Sequence, residues 1–151
     1  MCSSDLFPSH DIHPELGLRF TPYAFIVVEE DICLKPAEFL SEIEKQNLLN
    51  WGSYDGTGDP INLSINEYFT KFVYTADFLN AEKKSLNEFL GGGNTTNNLK
   101  EVYKDCDFME FHFSGFNPEF EGLDWSSLRL VFKEYQEKYY LVGIVHDQWT
   151  V

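Results

Sequence analysis

The chain has 151 residues, 43% hydrophobic and 17% aromatic, with a formal net charge of −14 and a pI near 4.5. That length fits one domain able to bury a real core, and 14 Phe, 8 Tyr and 3 Trp point to large rings in that core or on a ligand surface. So acidic a chain repels phosphate backbones and anionic headgroups, which argues against nucleic-acid and membrane-surface binding and leaves solubility as the plain reason for the charge.

Residues 1–16 are polar, contain His10, His13, Pro8 and Pro14, and read as a loosely held arm before a single domain at 17–151. Met1-Cys2-Ser3-Ser4-Asp5 has the look of a bacterial lipoprotein start, with Cys2 as lipid anchor. An ordinary terminus with a chance cysteine fits it as well. Gly17 to Glu30, rich in Phe, Ile and Val, predicts a strand that Pro22 confines to an edge or a bend.

Pro36 suits a first helical turn, and Phe39, Leu40 and Ile43 follow at helical spacing up to about Asn50. Trp51 to Pro60 is a glycine-rich loop. Its Asp55 and Asp59 suit a turn better than calcium, because the alternating acidic ligands of a calcium loop are missing. Ser64-Ile65-Asn66-Glu67 is a capping box, and Ile65, Tyr68, Phe69, Phe72, Val73 and Ala76 form the clearest helical stripe of the chain. Residues 77–90 extend that helix or begin another, which Gly91-Gly92-Gly93 ends.

Asp107 to Phe113 alternates, with Met109, Phe111 and Phe113 opposite Glu110 and His112, which predicts a strand with one buried face. Trp125 to Val151 reads as two long antiparallel strands broken at Gln136-Glu137-Lys138. A ribbon this apolar needs the rest of the chain to cover it. No apolar run approaches membrane-spanning length and none reads as a signal peptide. Three cysteines, Cys2, Cys33 and Cys106, are too few for a disulfide scaffold. A Cys33–Cys106 bridge and three free thiols both fit.

Several phrases carry a resemblance: Arg19-Phe20-Thr21-Pro22-Tyr23, Trp51 to Gly56, Phe72-Val73-Tyr74, Glu110 to Phe113, Asp124-Trp125 and the terminal strand Tyr140 to Trp149. From about Leu16 onward the chain resembles a family of small bacterial domains with no assigned activity, many of them exported or lipid-anchored. The resemblance implies an extracytoplasmic location with anchoring through Cys2; otherwise the chain reads as cytoplasmic. The expected class is α+β, a curved antiparallel sheet of about four strands against two or three helices. By analogy this is similar to the cystatin and NTF2-like folds.

Candidate chemistry gathers at Glu110, His112, Arg129 and His146, near Asp124, Asp147 and Gln148. If the register joins them, a His beside a carboxylate can act as general base and an arginine can hold an anion. The same residues suit a hydrogen-bonded network that fixes the fold. Trp51, Tyr54, Asp124, Trp125 and Arg129 are the candidate ligand-binding residues. No metal motif, phosphate loop, dinucleotide fingerprint or nucleophile elbow appears, so neither metal nor cofactor is expected. The expectation is a non-catalytic module of the cell envelope binding a small molecule or a protein. A small NTF2-like hydrolase or lyase using a His/Glu pair and a structural envelope subunit are the alternatives, and homodimerisation stays open.

Overall fold

A computed structural model describes residues 9–93 and 95–150. Its elements are β1 (Leu18–Thr21), β2 (Ile32–Leu34), α1 (Pro36–Lys45), β3 (Leu49–Ser53), β4 (Pro60–Leu63), α2 (Ile65–Tyr68), β5 (Lys83–Leu86), α3 (Leu99–Val102), β6 (Asp107–Phe113), β7 (Ser126–Tyr135) and β8 (Lys138–Gln148). Six strands form one sheet in the order β2-β1-β8-β7-β6-β5, and β3 pairs with β4 in a separate hairpin. All pairings are antiparallel except β1 with β8. The class is α+β as expected, but the sheet has six strands rather than four. The strands of this sheet beyond the four expected are β2 and β5, at three and four residues too short to display a period.

The β7–β8 ribbon is the frame. Gln136 and Glu137 lie at φ 50° and 67°, the paired left-handed geometry of a two-residue turn whose twist matches its strands. On one face of the sheet sit Phe20, Phe111, Leu128, Leu141 and Ile144. Helix α1, the β3–β4 hairpin and α2 cover this face, bringing Phe39, Trp51, Tyr68 and Phe69 into the same core. On the other face Phe108, Val131, Val142 and Val145 pack against Ile26 and Leu99. Strand β6 is therefore buried on both sides, not one.

Three expected elements are shorter than the pattern suggests. The helix begun at Pro36 ends at Lys45 rather than near Asn50, with Gln46 left-handed at φ 52°, and the stretch expected as a loop from Trp51 to Pro60 begins and ends in strands β3 and β4. The strand begun at Leu18 stops at Thr21. Pro22 cannot donate to a ladder, and Asp31 closes the following loop by accepting from Thr21 Oγ1 at 2.7 Å and Val27 N at 3.1 Å. The stripe beginning at Ile65 is one α-turn that widens into a π-turn at Phe69–Val73, keeping Phe69 and Phe72 on the core. Residues 77–90 hold a short 3₁₀ turn and the edge strand β5 rather than more helix. Residues 9–16 are tied down: Ile12 is buried and bridges Leu141, and His13 Nδ1 accepts from Glu15 N and Leu16 N. Cys2 lies outside the described residues. Cys33 and Cys106 are free thiols, not a bridge.

Ser64 caps α2 as its sequence indicates: Ser64 Oγ accepts from Glu67 N at 3.3 Å and Glu67 Oε1 accepts from Ser64 N at 2.9 Å. Because Phe69 and Phe72 hang on that turn, Ser64→Ala is expected to cost about 1 kcal/mol. The check is the urea midpoint, with no change in the slope of the transition.

Candidate functional site

Strand periodicity decides which candidate residues meet. Glu110 pairs with Arg129 and Arg129 with Val145; His112 pairs with Ser127 and Ser127 with Asp147. Paired residues in adjacent strands share a face, so Glu110, His112, Ser127, Arg129 and Asp147 stand together. His146 pairs with Leu128 and faces the other way, edge-on to the Phe72 ring at 5.9 Å. The grouping of His146 with Glu110 and Arg129 is therefore corrected. The cause is a bulge. Phe132 pairs with Leu141 but Val131 pairs with Gly143, leaving Val142 as the extra residue. Counted straight back from the turn, His146 would fall opposite Ser127, on the arginine's face. One inserted residue reverses every later side chain.

Arg129 is the hub. Its Nε donates to Glu110 Oε1 at 2.5 Å and its Nη2 to the Gly91 carbonyl at 2.8 Å. Nη1 lies 2.9 Å from Asp147 Oδ2 but its hydrogens are poorly aimed, so that contact acts mainly as a charge pair. The Phe89 ring caps the guanidinium at 5.0 Å. The second oxygen of Glu110 accepts from Leu90 N at 3.0 Å, Gly91 N at 2.7 Å and Ser127 Oγ at 2.9 Å. Since the Ser127 proton goes to Glu110, its oxygen accepts from His112 Nδ1 at 2.7 Å, which fixes the tautomer of that ring.

The strap from Phe89 to Gly93 closes this cluster. A Cβ on Gly91 would come within 2.7 Å of Ser127 Oγ and 2.9 Å of His112 Cε1, so only glycine allows the strap to lie this close. Of the three glycines that the sequence suggests as a helix stop, Gly91 instead serves close approach and backbone donation, and Gly93 lies close against Trp125. Glu110 and Arg129 are fully buried and Asp147 nearly so. A carboxylate fully buried and already holding four donors is closed to a substrate. Chemically the cluster suits fixing three strands and a strap in one register.

Burial governs its titration. Asp147 is pushed up to about 6, chiefly because its carboxylate is stripped of water, with the Arg129 charge working against the shift. Desolvation also lowers His112, while Glu110 and Glu82 oppose it. On the opposite face His146 is pushed down to about 4 by burial. Its Nε2 lies 2.8 Å from Gln148 Oε1 and its Nδ1 is buried with no partner.

The remaining candidates divide. Trp51 is fully buried, stacked on Tyr68 at 4.2 Å, with Nε1 donating to the Leu63 carbonyl at 2.8 Å. It is a core ring, closed to any ligand. Tyr54 packs towards Phe72 with Lys71 over its face. The loop between them is a hairpin connection held by Tyr54 N to Asp59 O at 2.8 Å. Asp124 and Trp125, by contrast, line a concave surface of about 380 Å³ together with Phe116, Leu123, Ser126, Gln148 and Trp149. Asp124 Oδ2 holds the loop by accepting from Phe116 N at 3.0 Å and Asn117 N at 2.8 Å. Asp124 Oδ1 and Ser126 Oγ are buried without partners. Phe116, Leu123 and Trp149 are 54%, 58% and 42% exposed. The sequence reading missed these three; a Phe and a Leu in a Gly- and Pro-containing loop beside two tryptophans was the available signal.

No family model, curated protein or solved structure matches the chain.

Proposed function

We propose that the protein is a non-catalytic binding module, and that its ligand seats at the end of the β7–β8 ribbon between Trp125 and Trp149. The observation that carries this reading is the coincidence of exposed apolar side chains with unused polar atoms. Phe116, Leu123 and Trp149 are open to solvent beside the buried, unpartnered oxygens of Asp124 and Ser126. Large exposed apolar side chains crowded at one concavity mark contact surfaces. An unmade buried hydrogen bond costs about 1–3 kcal/mol unless a partner arrives. Flat apolar faces edged by a hydroxyl, a carboxylate and the Gln148 amide suit an uncharged ring bearing hydroxyl groups, such as a saccharide.

The hydrolase or lyase alternative needs an accessible His/Glu pair. Against it stand the sealed Glu110–Ser127–His112 chain and the placement of His146 on the opposite face. A cell-envelope location, with Cys2 as anchor, rests on the family resemblance; labelling of the full-length protein with a radiolabelled fatty acid tests it.

The binding reading is checked with oligosaccharides of glucose and of N-acetylglucosamine as probes. The indole N–H signals of Trp125 and Trp149 are expected to shift while that of buried Trp51 stays put. Trp149→Ala is expected to weaken binding at least tenfold, about 1.4 kcal/mol, without altering the thermal midpoint. Indole signals that ignore both sugar series would remove the saccharide reading.

A further inference from the structure

A second cavity, of about 390 Å³, opens at the other end of the ribbon, between β1–β2 and the stretch that follows α3. Its size falls within the range of small-ligand sites, about 300–1,000 Å³. Its charge reverses that of the chain: three of the 11 Lys and Arg line it, Arg19, Lys104 and Lys133, against Asp105 alone of the 25 Asp and Glu. Among the described residues Lys104 and Lys133 have no carboxylate partner. Arg19 spends Nη1 on the Val28 and Asp31 carbonyls, at 2.9 and 3.3 Å, and keeps Nε and Nη2 without acceptors among those residues.

Apolar surface completes the cavity. Val142 lies on this face by ordinary alternation from Leu141, and the bulge brings Gly143 onto the same face beside it. Tyr103 also lines it, and its buried hydroxyl has no partner. That hydroxyl lies against Gly143, where a Cβ would stand 2.6 Å from it, and Gly143 is the Cα partner of Arg19. The free guanidinium donors and the orphaned hydroxyl are thus rooted at one level of the sheet.

We propose that this cavity binds a small organic carboxylate with an aliphatic body. The carboxylate meets the planar donor fork of Arg19, with Lys104 and Lys133 at the rim, and the aliphatic chain lies along Val142 and Tyr103. A guanidinium matches a carboxylate in shape and charge, and the local reversal of sign draws an anion to an otherwise repelling surface. The two free thiols, Cys33 and Cys106, also line the cavity, so an occupant shields them.

Octanoate is the probe, and the site lies far enough from Trp149 along β8 that its failure leaves the saccharide reading untouched. Saturating octanoate is expected to slow iodoacetamide alkylation of Cys33 and Cys106 at least threefold, read by peptide mass spectrometry, while 1-octanol at equal concentration does not. The double variant Lys104→Gln/Lys133→Gln is expected to weaken octanoate binding about tenfold by calorimetry. Both side chains are at the surface, so folding is preserved and near-UV circular dichroism confirms it. Equal protection by octanol, unchanged affinity in the double variant, or no protection of either thiol would each overturn the proposal.

Discussion

Replacing Arg129 with methionine is expected to lower the unfolding free energy by about 3–5 kcal/mol. Among the described residues the guanidinium is the one positive charge facing two buried carboxylates, Glu110 and Asp147, and it also ties down the strap through the Gly91 carbonyl. Methionine fills much of the volume but leaves both carboxylates in a water-poor site without a counter-charge. Since a domain of this kind holds only about 5–15 kcal/mol in total, a large part of the population unfolds at moderate urea. Arg129→Lys is expected to recover only part of the loss. An ammonium is a point charge on a flexible stem and cannot serve three acceptors on three chain segments at once. Exchanging Glu110, Arg129 and Asp147 together for leucine, methionine and leucine should cost less than the single change, because no orphaned charge remains. Urea denaturation followed by far-UV circular dichroism orders the variants. A loss under about 1 kcal/mol for Arg129→Met would mean that water solvates the cluster and that it does not brace the sheet.

The parts of this architecture legible in the sequence are those whose period survives for six residues or more. Strand β6 and the β7–β8 ribbon alternate long enough to be read directly, and the Ser64 cap is a local motif that needs no tertiary information. Strand β2 exists only because β1 offers it an edge, and β5 because β6 does. No local pattern encodes such an edge. The site failed in one respect for a single physical reason. Gln136-Glu137 sets the register of the ribbon, and a count from that turn puts His146 beside Arg129. The bulge at Val142 then moves His146 to the other face and brings Asp147 in. The hint was Gly143, an isolated glycine within an apolar strand, which often marks a bulge or a close approach. Here it marks both, with Tyr103 packed against it. The role of Gly91 was out of reach altogether, because it depends on Ser127 and His112 arriving from two distant strands.

The bulge leads to the second large effect, a pH dependence hidden by compensation. His146 is pushed down to about 4 from an ordinary value of about 6.5. Above that value the ring is neutral in both states and contributes nothing. As pH falls below it, the unfolded chain takes a proton that the folded chain refuses. Folding then loses about 1.4 kcal/mol per unit, on the order of 3 kcal/mol by the time pH reaches the folded value. Asp147 runs the other way, because its folded value is raised to about 6. The stability it contributes is fully present below its unfolded value, near 3.8, and is lost as pH rises through about 6. Across the same acid window the two sequence neighbours on opposite faces of β8 therefore offset each other. His146→Leu removes one side of the balance, along with a buried nitrogen that has no partner. Relative to the parent protein, the variant is expected to gain on the order of 2–3 kcal/mol between about pH 7 and pH 4.5. Urea midpoints of both proteins at those two pH values measure the difference. Were His146 hydrated in the folded state, it would take its proton at the same pH folded and unfolded, and the two proteins would respond to acid in parallel.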